Sequence, residues 1–563
     1  MIADWPVGLT LIVGGLLAAA VRGRLRDVIS LATPLLTLAQ LALLDHGDFA
    51  RVDALGRTLV LMHVDRLSVL FGIVFAIAAL LNAIYALHVH DGVQRAATPI
   101  YAGSAIGAVF AGDLLTLFAF WELTAVASVL LVWASRSERS FRAGMRYLAI
   151  QLVSGLLLLA GALAHEAGTG SLAFGYIGLA APGGALMLAA FGIKASFPLL
   201  HNWLQDAYPE ATDAGTVALS AFTTKLGIYA LARAYPGTEL LIWIGATMTA
   251  FPIFYAVIEN DLRRVLAYSM TNQLGFMVTG VGLGSELALN GAVAHAFADI
   301  LFKSLLFMSM GAVLLRAGTV KGSELGGLYK SMPWTTGFCI VGAASISAFP
   351  LFSGFVTKSM IMAAAAGGGH WAVWLVLLFA SAGVFHHAGI KIPYFAFFAH
   401  DSGIRCREAP LNMLIAMGCT AALCIGIGSF PGLLYALLPH PVDYVPYTSA
   451  HVLSQLQLLV FSALAFSVLM RTGIYPPELR STNLDSDWLY RRLLPMLLRG
   501  VGSVYAMARA ALERALGSAL RRLDSLAVRH HHADGILART WTTGGMVLMV
   551  AIFLAAYLVL YYA

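Results

Sequence analysis

The chain has 563 residues, 59% of them hydrophobic and 11% charged, with a mean hydropathy of +0.80; an ordinary soluble chain is about 25% charged, so a conventional soluble enzyme is excluded. The 55 glycines and 19 prolines are spread through apolar stretches, which excludes collagen-like and disordered chains. The net charge of +6 comes from basic residues in short loops, where it sets membrane orientation and gives no reason to expect nucleic acid as a partner.

A membrane-crossing helix needs about 20 mostly apolar residues. Runs of that kind occur roughly sixteen times, near 7–21, 28–44, 66–88, 97–111, 114–134, 145–165, 184–206, 213–233, 238–258, 265–283, 290–315, 335–363, 371–399, 410–432, 451–470 and 543–562. The expected fold is an all-α polytopic membrane protein with about that many transmembrane helices. The opening, MIADWPVGLTLIVGGLL, has an acid before its apolar run and no basic stretch, so it reads as a first span and not as a cleaved signal. Every second loop is basic: Arg22, Arg24 and Arg26, then Arg136, Arg139 and Arg142, then Arg263 and Arg264, then Arg316, Lys321 and Lys330, then Arg405 and Arg407. Loops 166–183 and 433–450 hold almost no Lys or Arg. The positive-inside rule puts the basic loops in the cytoplasm and the N-terminus outside.

Two of these spans share a local pattern. Ser196-Phe197-Pro198-Leu199-Leu200, followed by Trp203, matches Ala348-Phe349-Pro350-Leu351-Phe352, followed by Phe355. The copies lie five spans apart, an odd number, so they are expected to be inverted in the membrane. A proline has no N–H for the carbonyl four residues earlier, so Pro198 frees the carbonyl of Lys194 and Pro350 that of Ile346. A freed carbonyl in a membrane helix needs water, an ion or a side chain.

A charged residue near the bilayer centre costs about 3 kcal/mol or more, so each asks for a reason. Glu122, Lys194, Lys225, Lys303 and Lys358 all sit inside apolar runs. His295 and Asp299 precede Lys303 by eight and four residues, which places the three on one face of a helix. Burial disfavours the charged form of either type of group and an opposite charge restores it, so a Glu or Asp alternating with lysines can pass a proton laterally. A permanent Glu–Lys pair that merely specifies packing would explain one buried pair; five or more titratable groups in separate helices favour proton movement. His201, His386 and His387 are weaker candidates and read equally well as core histidines. Lys391 either snorkels to the cytoplasmic edge or is buried. His530 to His532 lie in a polar loop and read as solvent-exposed. The four cysteines form no Cys-x-x-Cys pair, so no metal, iron–sulfur or other cofactor is expected.

FAFWELTAVASVLL with Glu122, FGIKASFPLLHNWLQDAYPEATDAGTVALSAF with Lys194, TTKLGIYAL with Lys225, NDLRRVLAYSMTNQLGFM, HAFADILFKSLLF with Lys303 and SAFPLFSGFVTKSMI with Lys358 resemble the antiporter-like subunits of respiratory complex I, membrane-bound hydrogenases and Mrp-type cation/proton antiporters. The resemblance spans roughly residues 60–430. The Lys225 motif and Asp299 look most like the D-type component of the Mrp antiporter. The resemblance implies two inverted five-helix repeats with broken helices, each with a half-channel. It implies Glu122 as the coupling carboxylate facing a neighbouring subunit and Lys194 as the proton-bearing lysine of the first broken helix. Lys225 is then the connector, Lys303 the central lysine of the second half and Lys358 the terminal lysine, with His201, His295, Asp299 and Lys391 in support.

The implied organisation is 1–96 N-terminal helices, 97–233 first repeat, 238–399 second repeat, 410–470 peripheral helices, 487–530 a basic amphipathic helix on the cytoplasmic surface, and 543–562 an anchor helix. That last part extends beyond a typical D-type component and is similar to the lateral helix of the arm-ending subunit of complex I. The expected function is a proton-translocating subunit of a multisubunit sodium/proton antiporter in a bacterial-type inner membrane, with other membrane subunits, lipid, protons and sodium as partners. Two alternatives use the same residues: the membrane subunit of a complex I-like or hydrogenase-like oxidoreductase, and the energising subunit of an inorganic-carbon uptake complex.

Overall fold

In a computed structural model the described residues are 5–562, leaving out 55, 477, 480–482 and 484. They divide into two units, Met1–Asp485 and Ser486–Ala563. In the first unit the helices relevant here are α1 (Val7–Ala20), α2 (Arg24–Leu41), α3 (Arg66–Tyr85), α4 (Gly92–Phe110), α5 (Leu114–Trp133), α6 (Glu138–Thr169), α7 (Gly184–Lys194), α8 (Asn202–Ala207), α9 (Asp213–Ala221), α10 (Thr223–Ala234), α11 (Glu239–Ile258), α12 (Leu262–Leu283), α13 (Glu286–Ala317), α14 (Pro333–Ile346), α15 (Ser353–Gly367) and α16 (Trp371–Val384). Helices Leu411–Ser429 and Ser449–Thr472 follow. Helix lies within each predicted run, and among the described residues nine helices, against the sixteen expected spans, are long and apolar enough to cross a membrane by length and composition.

Polar residues start these helices. Asp65 and Ser137 form capping boxes with Ser68 and Ser140, while Asp113, Asp261 and Ser285 accept bonds from the free N–H groups of α5, α12 and α13. α13 is the packing centre: a 32-residue helix with nearly all of its apolar stretch buried. α9, α12, α14 and α15 lie against it.

Three features depart from the expected helices. Residues Gly47–Ala54 and Arg57–Val64, between the second and third predicted spans, form an antiparallel hairpin, with Ala54 opposite Arg57 and Gly47 opposite Val64, one small sheet within the helical membrane fold. The run TLVLMHV is too short to span, is rich in β-formers and is bounded by Gly56 and Asp65, which is a strand signal. The hairpin is tied to the start of α5, since Val60 N donates to Asp113 Oδ2 at 2.8 Å and Gly112 N to Val60 O at 2.9 Å. The span near 213–233 is interrupted at Phe222, where Thr223 N donates to the Tyr101 hydroxyl at 2.9 Å. The span near 371–399 is α-helical only to Val384 and continues through π-helical turns at Phe385–Ile390 and Tyr394–Phe398.

The second unit contains a 38-residue helix, Leu494–His531, and a 20-residue apolar helix, Thr543–Tyr562. On Leu494–His531, Leu498, Val501, Tyr505, Leu512, Leu516 and Leu523 share one face by their helical spacing, while Arg499, Arg514 and Arg521 lie on the other. No side chain of either helix is buried.

Candidate functional site

The first broken helix is α7–α8. Ser196 and Leu199 adopt left-handed φ values of 67° and 69°, a conformation costly for residues with a Cβ. Phe197 N reaches back five residues to Gly192 O at 2.9 Å, and Leu200 N closes a turn on Phe197 O at 2.9 Å. Lys194, the last residue of α7, is fully buried. Its ammonium donates to Trp121 O at 2.9 Å and Thr124 Oγ1 at 2.5 Å, and lies 4.2 Å from the Trp121 ring centre. All three contacts are neutral and lie on α5.

Glu122 is on the same helix but half-buried. Its side chain lies over Gly155 of α6, where an added Cβ would collide with the carboxylate. Among the described residues Glu122 Oε1 accepts no hydrogen bond, while Trp121 and Thr124 of the same helix hold Lys194 of α7.

The halves meet at α10 and α13. Lys225 Nζ lies 2.7 Å from Asp299 Oδ2, both side chains being fully buried, and also donates to Ser220 O at 3.0 Å. One turn further along α13, Lys303 donates to Ser269 Oγ of α12 at 2.9 Å. One turn the other way, His295 bonds Gln273 Oε1 of α12 at 2.9 Å through Nε2 and Thr357 Oγ1 of α15 at 3.0 Å through Nδ1. The acceptors Ser269 and Gln273 are themselves four residues apart, so α12 presents a polar stripe to the one on α13.

The second broken helix is α14–α15. Ala348 and Leu351 have φ values of 57° and 75°, and Phe349 N reaches Ala344 O at 3.0 Å. Lys358, on α15, donates to the carbonyl of Ile346 at 3.1 Å and sits 5.0 Å from the Phe276 ring centre. That carbonyl is the one Pro350 releases.

A second charged group lies apart from this line. Lys391 is buried against the end of α11, with Nζ on the carbonyls of Ala256, Val257 and Glu259 at 3.2, 2.7 and 2.6 Å and 2.9 Å from Glu478 Oε1. His201 Nε2 lies 3.2 Å from Asp485 Oδ2, which also accepts from the Tyr268 hydroxyl at 2.9 Å, while Asn202 donates to Oδ1. Burial pushes the Asp485 carboxyl up, but the bonds from His201, Tyr268 and Asn202 outweigh it and hold the group down at about 2. His386 is stacked on Tyr475 and against Phe466, and neither ring nitrogen of the buried His387 has a hydrogen-bond partner among the described residues.

Sequence reading did not find Glu478 or Asp485, because both lie in a polar stretch that reads as an ordinary loop. Nor did it find Ser269, Gln273, Thr357 and Thr124, although the first two carry the same four-residue signal that marked Asp299 and Lys303. The hydroxyls of Tyr101 and Thr223 meet at 2.6 Å, and those of Ser128 and Tyr147 at 2.7 Å, in a fully buried cluster between α4, α5, α6 and α10. Among the described residues no group of three or more His, Cys, Asp or Glu side chains could hold a metal ion.

A line of buried lysines held mainly by neutral acceptors, with one direct carboxylate partner at its centre, can release and rebind protons without leaving a permanent charge stranded. Residues 111–384 match the family model described as NADH:quinone oxidoreductase/Mrp antiporter, transmembrane. The chain is 29% identical over 431 residues to a component of the Na(+)/H(+) antiporter of Alkalihalophilus pseudofirmus, covering 67% of this chain and 53% of that one. It spans about half to three-fifths of the length of the first curated relatives it matches. In fold it is similar to a chain of the Mrp complex from Dietzia sp. DQ12-45-1b, with TM-score 0.68, 22% identity, and 82% of this chain and 98% of that one covered. It is also similar to a chain of the membrane-bound sulfane sulfur reductase, an archaeal respiratory membrane complex, with TM-score 0.71, 22% identity, and 98% and 99% covered.

Proposed function

We propose that this chain, an antiporter-like membrane subunit of the kind found in Mrp, complex I and hydrogenase-type complexes, carries protons along Glu122, Lys194, Lys225, Asp299, Lys303 and Lys358 as part of a multisubunit sodium/proton antiporter. The observation that carries the reading is the 2.7 Å contact of Lys225 with Asp299. It joins the lysine of the first half to the α13 stripe of the second. A carboxylate there stabilises the protonated lysine, and protonation of Lys303 one turn away competes for the same carboxylate. Charge arriving at one lysine is thereby felt at the next. Glu122, lying against α6, is the point at which a neighbouring subunit acts on Lys194. His295, bonded to Gln273 and Thr357, orients the α13 stripe, and the basic loops face the cytoplasm of a bacterial-type inner membrane with the N-terminus outside.

A second reading, a proton-moving subunit of a redox-driven complex, is favoured by one observation. The respiratory-complex chain matches 98% of this chain, including the second unit, whereas the Mrp chain matches 82%. The assembled complex in sealed vesicles separates the two. A sodium gradient that drives proton flux of opposite sign supports the antiporter, and flux that appears only with an electron donor supports the redox complex. Lys303→Arg tests the shared proton path, because arginine keeps its proton; undiminished flux in that variant refutes it.

A further inference from the structure

Beside the second break lies a cavity of about 300 Å³. One wall carries Lys358 and Ser359 of α15; the other carries His451, Ser454 and Gln455 of the Ser449–Thr472 helix, with Tyr444 from the loop before it. It has room for several waters and the polar partners to hold them. The loop over it, 433–450, contains no Lys or Arg.

His451 is held in one orientation. Its ring stacks on Phe355 with centroids 4.4 Å apart and planes 17° from parallel, and Nδ1 lies 2.7 Å from the carbonyl oxygen of Pro446. A ring nitrogen facing a carbonyl carries the proton, so Nε2 keeps its lone pair as an acceptor. The same helix braces the break: Gln455 Nε2 donates to Ser347 O at 3.2 Å. Just before it, Tyr447 accepts from Leu351 N at 3.2 Å.

We propose that this cavity is the exit for the proton carried by Lys358 and that His451 is the group that accepts it. The inference rests on the proton path proposed above. The Lys358 ammonium gives one proton to a cavity water and becomes a neutral amine. That water passes a proton to His451 Nε2, giving an imidazolium still bonded to Pro446 O through Nδ1. The imidazolium then loses the Nε2 proton to water on the side of loop 433–450, so one proton crosses and no charge remains.

Two measurements on the assembled complex in vesicles test this. The first is His451→Ala, with and without added imidazole. The expected result is a loss of proton flux of about 100-fold, as for removal of a positioned acid–base group, with at least tenfold recovery in millimolar imidazole. Flux within twofold of the unmodified complex overturns the proposal, and so does a loss that imidazole does not restore, because that is what a packing role of the Phe355 stack would give. The second is Ser454→Cys in a chain whose four native cysteines are replaced by serine or alanine. A membrane-impermeant charged thiol reagent should label it from the side of loop 433–450; no labelling means a dry or lipid-filled cavity and overturns the exit. Lys358→Ala keeps the two readings apart. Lost flux in Lys358→Ala with full flux in His451→Ala removes the exit alone, whereas full flux in both removes the proton path itself.

Discussion

At Ser196-Phe197-Pro198-Leu199 and at Ala348-Phe349-Pro350-Leu351 the backbone makes one and the same turn, left-handed at the first and fourth residues, with the phenylalanine N–H reaching back five residues. The surroundings are different. Lys194 is four residues before its proline and turns outward to α5; Lys358 is eight residues after its proline and reaches back to Ile346, which stands where Lys194 stands in the first copy. Asp485 locks His201 and Asn202 just beyond the first break, whereas a cavity adjoins the second. The break is thus a backbone device supplied by a short local sequence. Where a lysine is placed around it, and what it faces, is decided separately in each repeat.

The strongest way to break this comparison is at the joint between the repeats. Asp299→Asn leaves Lys225 buried without its partner, which should cost about 3–5 kcal/mol, read as a lower thermal midpoint. Proton flux should fall on the order of 100-fold. Flux unaffected by Asp299→Asn would mean that the two repeats work independently.

The next largest effect is expected in the first repeat alone. Glu122→Gln should assemble and lose most flux, and Gly155→Ala, which pushes the carboxylate out of its place over α6, should lower flux in the same direction by about tenfold, a shift of roughly 1.4 kcal/mol in barrier. If Gly155→Ala is silent, the position of the carboxylate is not what matters.

Asp485→Asn sharpens the contrast between the covers of the two breaks. It removes a charged acceptor from His201, Asn202 and Tyr268, worth about 1–3 kcal/mol, and should lower the thermal midpoint without altering labelling at Ser454→Cys. A carboxyl held low gives stability that is complete above its ordinary value of 3.8 and is lost as the pH falls toward about 2. The difference in thermal midpoint between Asp485→Asn and the unmodified chain should therefore be unchanged between pH 8 and pH 5.

The smallest effect tests whether the two turns are equivalent. Leu199→Gly and Leu351→Gly each release left-handed strain of about 1–3 kcal/mol and add about 0.5–1 kcal/mol of chain entropy to be lost on folding. Each should raise stability by about 1 kcal/mol, equally at both sites. Unequal shifts in thermal midpoint would show that one turn is held by its neighbours and the other by its own sequence.

Local sequence was enough to place the helices, the buried charges on them and both breaks, because apolar run length, a four-residue repeat of polar residues and a proline that cannot donate are properties of neighbouring residues. The release of the Ile346 carbonyl follows from Pro350 alone. Its capture by Lys358 does not, since it depends on how α15 folds back on α14. The same holds for Lys225 and Asp299, which share no local pattern and meet because α10 packs on α13. Lys391 could be placed at the membrane edge or inside by its own segment, and the fold buries it against Glu478 and three carbonyls. Hydropathy shows which residues leave water, but an isolated helix has no information about the face it will meet. The partner of each buried charge, and with it the order in which protons can move, was therefore decided only when the helices packed.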